Sequence, residues 1–233
     1  MPTPIVVAVD GPSGSGKSSV SKAVASRLGI GYLDTGAMYR AVTWYCLDQG
    51  VDLDDREGVA EAARRIPLDV GTDPQHPTVT VGGQDISAAI RTTEVSSVVS
   101  RVATNTAVRP VLQHLQRTMM DRIAERIGGV IAEGRDITTV VYPDADVRLL
   151  VTASEEARLR RRAAELHGSA DARAVEATRD QVVRRDRDDS TVSQFTTAAD
   201  GVTLVDTSDL TFEEVVERVG GLVQAARSAT MEG

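Results

Sequence analysis

The chain has 233 residues, 41% hydrophobic, 26% charged and 3% aromatic, with a formal net charge of −8. These proportions suit a globular domain with an aliphatic core. They exclude the broad basic face of a nucleic-acid binder and, with Cys46 the one cysteine, any internal disulfide.

No stretch approaches the roughly 18 apolar residues of a membrane span, and the apolar run at the N-terminus is too short for a signal peptide. A cytoplasmic enzyme without nucleic-acid or membrane partners is therefore expected; a monomer is the default expectation. Ile5-Val6-Val7-Ala8-Val9 is the β-branched run of a buried parallel strand. Gly11-Pro12-Ser13-Gly14-Ser15-Gly16-Lys17-Ser18 follows and fits G-x-x-x-x-G-K-[ST] at every specified position. Apolar Val20, Ala23, Val24 and Leu28 give helical spacing over Ser18 to Leu28. Strand, glycine-rich turn and helix together predict a nucleoside triphosphate cradle spanning Gly11 to Ser19. Lys17 would reach the β/γ-phosphates and the Ser18 hydroxyl would take a Mg²⁺ position. The motif does not say how the triphosphate is used.

Tyr32-Leu33 reads as a second strand, and Thr35 as the N-cap of a helix from Ala37 to Leu47 that carries Arg40. Leu53 to Ile66 is a further helix. The period then changes to two over Pro67 to Val70 and Thr78 to Val81, with Gly82-Gly83 as a tight hairpin turn into Gln84-Asp85-Ile86. This predicts a small antiparallel insert. Thr92 to Thr104 and Val111 to Ile127 are helices whose apolar stripes read as core, with Pro110 close to the second start. Val130-Ile131-Ala132, Val147 to Val151 and Val202 to Asp206 are three more strands. Ser154 caps a charged helix, and Thr211-Phe212-Glu213-Glu214 is a capping box for the last helix. Strands alternating with helices predict a parallel sheet flanked on both faces.

Between the last two strands, Arg158, Arg161 and Arg162 share one helix face, and Arg184-Arg185-Asp186-Arg187-Asp188-Asp189 lies on a second helix. The pair reads either as a mobile hairpin that closes arginines over a triphosphate or as a solvated face paired with Glu155, Glu156 and Asp188. Beside a phosphate cradle the first reading is favoured, because phosphoryl transfer needs cations that neutralise charge and exclude water.

Four further segments carry a specific resemblance: Leu33-Asp34-Thr35-Gly36-Ala37-Met38-Tyr39-Arg40, Ile90-Arg91-Thr92-Thr93-Glu94-Val95, Ala132-Glu133-Gly134-Arg135-Asp136 and Arg185-Asp186-Arg187-Asp188-Asp189-Ser190. With the glycine-rich turn they make the chain similar, over nearly its whole length, to the bacterial cytidylate kinases of the nucleoside monophosphate kinase family. The resemblance implies an α/β fold with a P-loop NTPase three-layer core, a five-stranded parallel sheet, an antiparallel insert in the monophosphate-binding domain and a short helical lid. It implies one domain over residues 1–233: core 1–35, 96–153 and 191–233, monophosphate-binding subdomain 36–95 and lid 154–190.

It also implies transfer of the γ-phosphoryl of ATP, with Mg²⁺, to CMP or dCMP in pyrimidine nucleotide metabolism. Thr35, Arg40 and Arg135 would hold the acceptor, with the two arginines on its phosphate. Ser100, Arg109 and Asp136 would recognise cytosine, and Arg185 and Asp189 would lie near the sugar. Lys17, Arg158, Arg161 and Arg162 would act on the transferred group. Another small-molecule kinase, such as one acting on UMP or shikimate, is the nearest alternative; a GTPase switch would need an N-K-x-D motif that the chain lacks. One departure stands out. Val192 occupies the place where many relatives carry a second tail arginine. Either Arg184 or Arg187 compensates, or the sugar and phosphate contacts are weaker.

Overall fold

A computed structural model describes residues 4–232, apart from the side chains at 166, 180, 181, 185 and 230–232. Among the described residues, five parallel strands form one sheet in the order β2-β6-β1-β7-β8: β1 (Ile5–Asp10), β2 (Gly31–Asp34), β6 (Gly129–Gly134), β7 (Val147–Thr152) and β8 (Thr203–Asp206). β1 is hydrogen-bonded on both edges and every one of its residues is buried, which explains its unbroken apolar sequence. Its side chains alternate. Val6 and Ala8 enter one core, and Ile5, Val7 and Val9 enter the other. Each buried valine of this kind contributes about 1.5–3 kcal/mol relative to an exposed one.

The second core lies under α1 (Lys17–Leu28) and α8 (Phe212–Glu232). The first lies under α2 (Thr35–Asp48), α3 (Arg56–Arg65), α4 (Thr93–Ala103) and α5 (Val108–Ile127). The result is the parallel sheet flanked by helices read from the alternation of elements, in the three-layer α/β arrangement that the resemblance implies. The antiparallel insert is a separate sheet of β3 (Leu68–Val70), β4 (Val79–Val81) and β5 (Gln84–Asp85). Gly82 and Gly83, at φ 58° and 83°, make its two-residue hairpin turn, a conformation that side chains with a Cβ resist. Cys46 is fully buried in the first core, as a small hydrophobe.

Three helix starts differ from the sequence reading. The helix read from Leu53 begins at Arg56, where the Asp55 carboxylate caps it by accepting the Gly58 N–H at 3.0 Å. Asp34, not Thr35, caps α2, accepting the Ala37 N–H at 3.0 Å; Thr35 is the first helical residue. Its hydroxyl instead donates to the Glu133 carbonyl at 2.6 Å. The helix predicted from Val111 begins at Val108, with Pro110 inside its first turn, where a missing N–H costs nothing. The lid hairpin consists of α6 (Glu155–His167) and α7 (Ala172–Ser190).

Parallel register brings the carboxyl ends of three strands together, with Asp10 opposite Gly134 and Asp34 opposite Glu133. Open α/β sheets bind ligands at this end. Asp10 is buried here and holds the π-helical turn Ile137–Val141, accepting the Ile137 and Thr138 N–H groups at 2.9 and 2.8 Å and the Thr138 hydroxyl at 2.6 Å. Burial outweighs these donors and pushes the Asp10 carboxyl up from 3.8 to about 6.

An acid whose pKa rises on folding favours the protonated folded state. Its contribution to stability is full below 3.8, declines as pH rises towards 6 and is level above that. Asp10→Asn lacks this titration. Urea unfolding of both proteins is expected to show the wild type losing about 2 kcal/mol relative to the variant between about pH 4.5 and 7.5. A gap that does not vary with pH would refute the shift.

Candidate active site

A cleft of about 690 Å³ opens at the carboxyl end of the sheet. The glycine-rich turn forms its floor. Gly14 sits at φ 77°, and a Cβ there would collide with the backbone carbonyl of Arg158 on the lid, so both the turn and the close lid approach require glycine. Gly16 precedes α1 and offers it no side-chain cap. The first-turn N–H groups and the positive end of the helix are thus available to an anion. Seven cationic side chains line the cleft against three carboxylates, in a chain of net charge −8. The field is locally inverted and suits a polyanion.

Beside the floor, Glu133 is fully buried. It accepts the Ser18 hydroxyl at 2.8 Å and the Tyr32 hydroxyl at 2.5 Å, with the Lys17 ammonium 4.0 Å away. Lys17 also donates to the Pro12 carbonyl at 3.4 Å. Burial, reinforced by the Asp34 carboxylate, raises the Glu133 pKa, and Lys17, Ser18 and Tyr32 oppose the rise. The same burial and the facing Glu133 carboxylate raise the Tyr32 phenol. Glu133 is therefore an under-compensated buried acid next to the hydroxyl expected to meet Mg²⁺. Mg²⁺ takes hard oxygen ligands, one or two of them from the protein, and the Ser18–Glu133 pair fits that demand.

Across the cleft lie Arg40, Arg91 and Arg135. Arg40 is nearly buried on α2 and donates to the Ile90 carbonyl at 3.2 Å and the Ser96 hydroxyl at 2.8 Å. Arg91 reaches Asp34 at 3.4 Å. Arg135 donates to the Gly11 carbonyl and to Asp189 at 3.1 Å, and stacks 4.7 Å from the Phe195 ring centroid. Behind it, the buried Asp136 carboxylate receives Arg109 and Gln113, each at 2.7 Å. Ser100 lies half-buried on α4, outside the cleft lining, and its carbonyl accepts the Thr104 hydroxyl at 2.7 Å.

The lid is held down on this floor. Arg161 and Arg162 line the cleft. Arg161 donates to the Thr207 hydroxyl at 2.8 Å and its carbonyl at 2.7 Å, and Arg162 pairs with Glu165 at 2.7 Å. Arg158 does not line the cleft; it donates to the Ser13 carbonyl at 3.0 Å and pairs with Asp186. Asp186 also accepts the Ser13 N–H at 3.0 Å and lies 3.4 Å from Arg135. Arg185 is on α7, and its side chain lies outside the described residues. Arg184 and Arg187, the suggested replacements for the absent tail arginine, are both exposed and outside the cleft lining. The tail instead brings Ser193 to Arg109, at 2.9 Å.

The structure thus gathers residues 13–19, Arg40, Arg135, Arg161 and Arg162 around one cleft, with Thr35, Arg109, Asp136, Arg158 and Asp189 packed directly behind. Glu133, Arg91, Gln113 and Asp186 were not singled out from sequence. Glu133, Arg91 and Asp186 lie inside the segments that carried the resemblance, which was the available signal. Gln113 lies in a helix read only for its apolar stripe.

The sequence model of the family described as Cytidylate kinase matches residues 7–225. The cytidylate kinase of Streptomyces avermitilis is 49% identical over 226 residues, covering 97% of this chain and 95% of that protein. The cytidylate kinase of Streptomyces griseus subsp. griseus is 48% identical with the same coverage. The cytidylate kinase of Nocardia farcinica is 46% identical over 223 residues, covering 95% of this chain and 94% of that protein. The family match over residues 7–225 and the identities of 46–49% along nearly the whole of both chains place this chain in the cytidylate kinase family.

Proposed function

We propose that this phosphotransferase moves the γ-phosphoryl group of ATP to the 5′-phosphate of CMP or dCMP, with Mg²⁺, as a cytoplasmic monomer. The observation that carries the reading is the cleft in which the α1 N-terminus and Lys17 face Arg40 and Arg135. A donor triphosphate lies on the turn 11–19, and an acceptor phosphate takes the two arginines, whose planar forks suit phosphate oxygens. Residues 36–95 form the acceptor's subdomain, and 154–190 form the lid that brings Arg158, Arg161 and Arg162. Ser18 and Glu133 are the protein groups that would hold Mg²⁺. When bound, the metal neutralises charge on the donor phosphates.

No general base is required. The acceptor oxygen is already ionised, so alignment and charge neutralisation by Lys17 and the lid arginines are the catalytic contributions of this chain. Closing the arginines over the cleft also excludes the water that would compete as acceptor. Asp136 supplies base choice. A carboxylate accepts from the 4-amino group of cytosine and repels the 4-carbonyl of uracil, a contact worth about 1–3 kcal/mol. With Thr35 buried against the Glu133 carbonyl, the role of Thr35 is to fix the strand end beside the acceptor phosphate.

Three measurements test this function. A panel of acceptors with ATP is expected to show the highest kcat/KM for CMP and dCMP, and a preference for UMP or a non-nucleotide alcohol would overturn the assignment. Lys17→Ala is expected to lower kcat at least about 100-fold while the protein still folds, as its circular dichroism spectrum would check. In the same assay Asp136→Asn is expected to narrow the CMP/UMP preference about tenfold or more. Near-normal turnover by Lys17→Ala, or an unchanged preference in Asp136→Asn, would remove the corresponding role.

A further inference from the structure

We propose that Gln113 is a positioning residue for base discrimination, acting through Asp136; the inference rests on the reading of Asp136 given above. Arg109 Nη2 and Gln113 Nε2 both donate to the same oxygen, Asp136 Oδ2, at 2.7 Å each. The carboxylate can only accept, so the Gln113 amide must present its nitrogen to it. Asp136 Oδ1 makes no hydrogen bond among the described residues.

The arrangement follows from how Arg109 is occupied. Its Nη1 donates to the Ala103 carbonyl at 3.0 Å, and its Nη2 is shared with the Ser193 hydroxyl at 2.9 Å. Arg109 therefore meets Asp136 through one nitrogen, not as a bidentate fork, and alone would leave the carboxylate free to turn about its Cβ–Cγ bond. Gln113 lies one helical turn further along α5, the spacing that puts both donors on one face. Two donors fixed on Oδ2 stop that rotation. They leave Oδ1 as the acceptor for the exocyclic amino group of the pyrimidine. Deleting Gln113 lets Arg109 draw on both oxygens and compete with the base.

Steady-state kinetics with CMP and UMP at saturating ATP tests this on the full chain. The proteins compared are the wild type, Gln113→Leu, Asp136→Ala and the double variant. Gln113→Leu is expected to raise the KM for CMP about tenfold and narrow the CMP/UMP ratio of kcat/KM, while kcat, the KM for ATP and the melting temperature stay near wild type. In the Asp136→Ala background it is expected to change nothing further.

A loss in Gln113→Leu that spares the CMP/UMP ratio and persists in the double variant would show a merely structural role and overturn the inference. A narrowed ratio in Asp136→Ala beside an unchanged one in Gln113→Leu would overturn it while leaving Asp136 as the base reader. An unchanged ratio in Asp136→Ala would remove the underlying reading, and this inference with it.

Discussion

Glu133 buries an acid at the carboxyl end of β6 and surrounds it with donors from β2 and α1: the Tyr32 hydroxyl at 2.5 Å, the Ser18 hydroxyl at 2.8 Å and the Lys17 ammonium at 4.0 Å. A buried carboxylate without adequate partners is costly, so this arrangement constrains how β2, β6 and the glycine-rich turn sit together. Thr35 ties the same residue from the other side through its carbonyl. Burial, reinforced by Asp34, raises the Glu133 pKa, and Lys17, Ser18 and Tyr32 oppose the rise. The sheet thereby delivers Lys17, Ser18 and Glu133 to one point with little freedom to drift.

A second carboxylate joins the α6–α7 hairpin to this arrangement. Asp186, on α7, accepts the Ser13 N–H of the turn and meets Arg158 of α6 and Arg135 of the β6 end. Arg135 is in turn held by Asp189 and stacked on Phe195. These pairs are largely shielded from solvent, so salt screens them less than surface pairs. They hold the arginines that phosphate would otherwise compete for.

Much of the fold was legible because its signals are local. β1 reads as a buried strand from five consecutive apolar residues, and its two cores follow from period-two alternation. The Gly82-Gly83 hairpin was readable because only glycine takes both positive φ values easily. The helix starts were less accurate. Asp34 and Thr35 are both good caps by type, and only the Asp34 carboxylate is placed to reach the Ala37 N–H. In α5 the apolar stripe concealed a polar one: Arg109, Gln113 and Gln116 recur at four and three residues, and Gln116 is fully buried with Gln113 half-buried beside it.

By itself the sequence determined the phosphate cradle, the alternation of strands and helices, and the arginine-bearing segments. Each of these depends on backbone conformation or periodicity within a few residues. Tertiary structure alone decided which donor meets which acid. Ser13 and Asp186 stand 173 positions apart, Ser18 and Glu133 115 apart, and Gln113 and Asp136 23 apart. Such pairings follow from parallel register and helix packing, in which the energy of one contact is set by the burial of all the others.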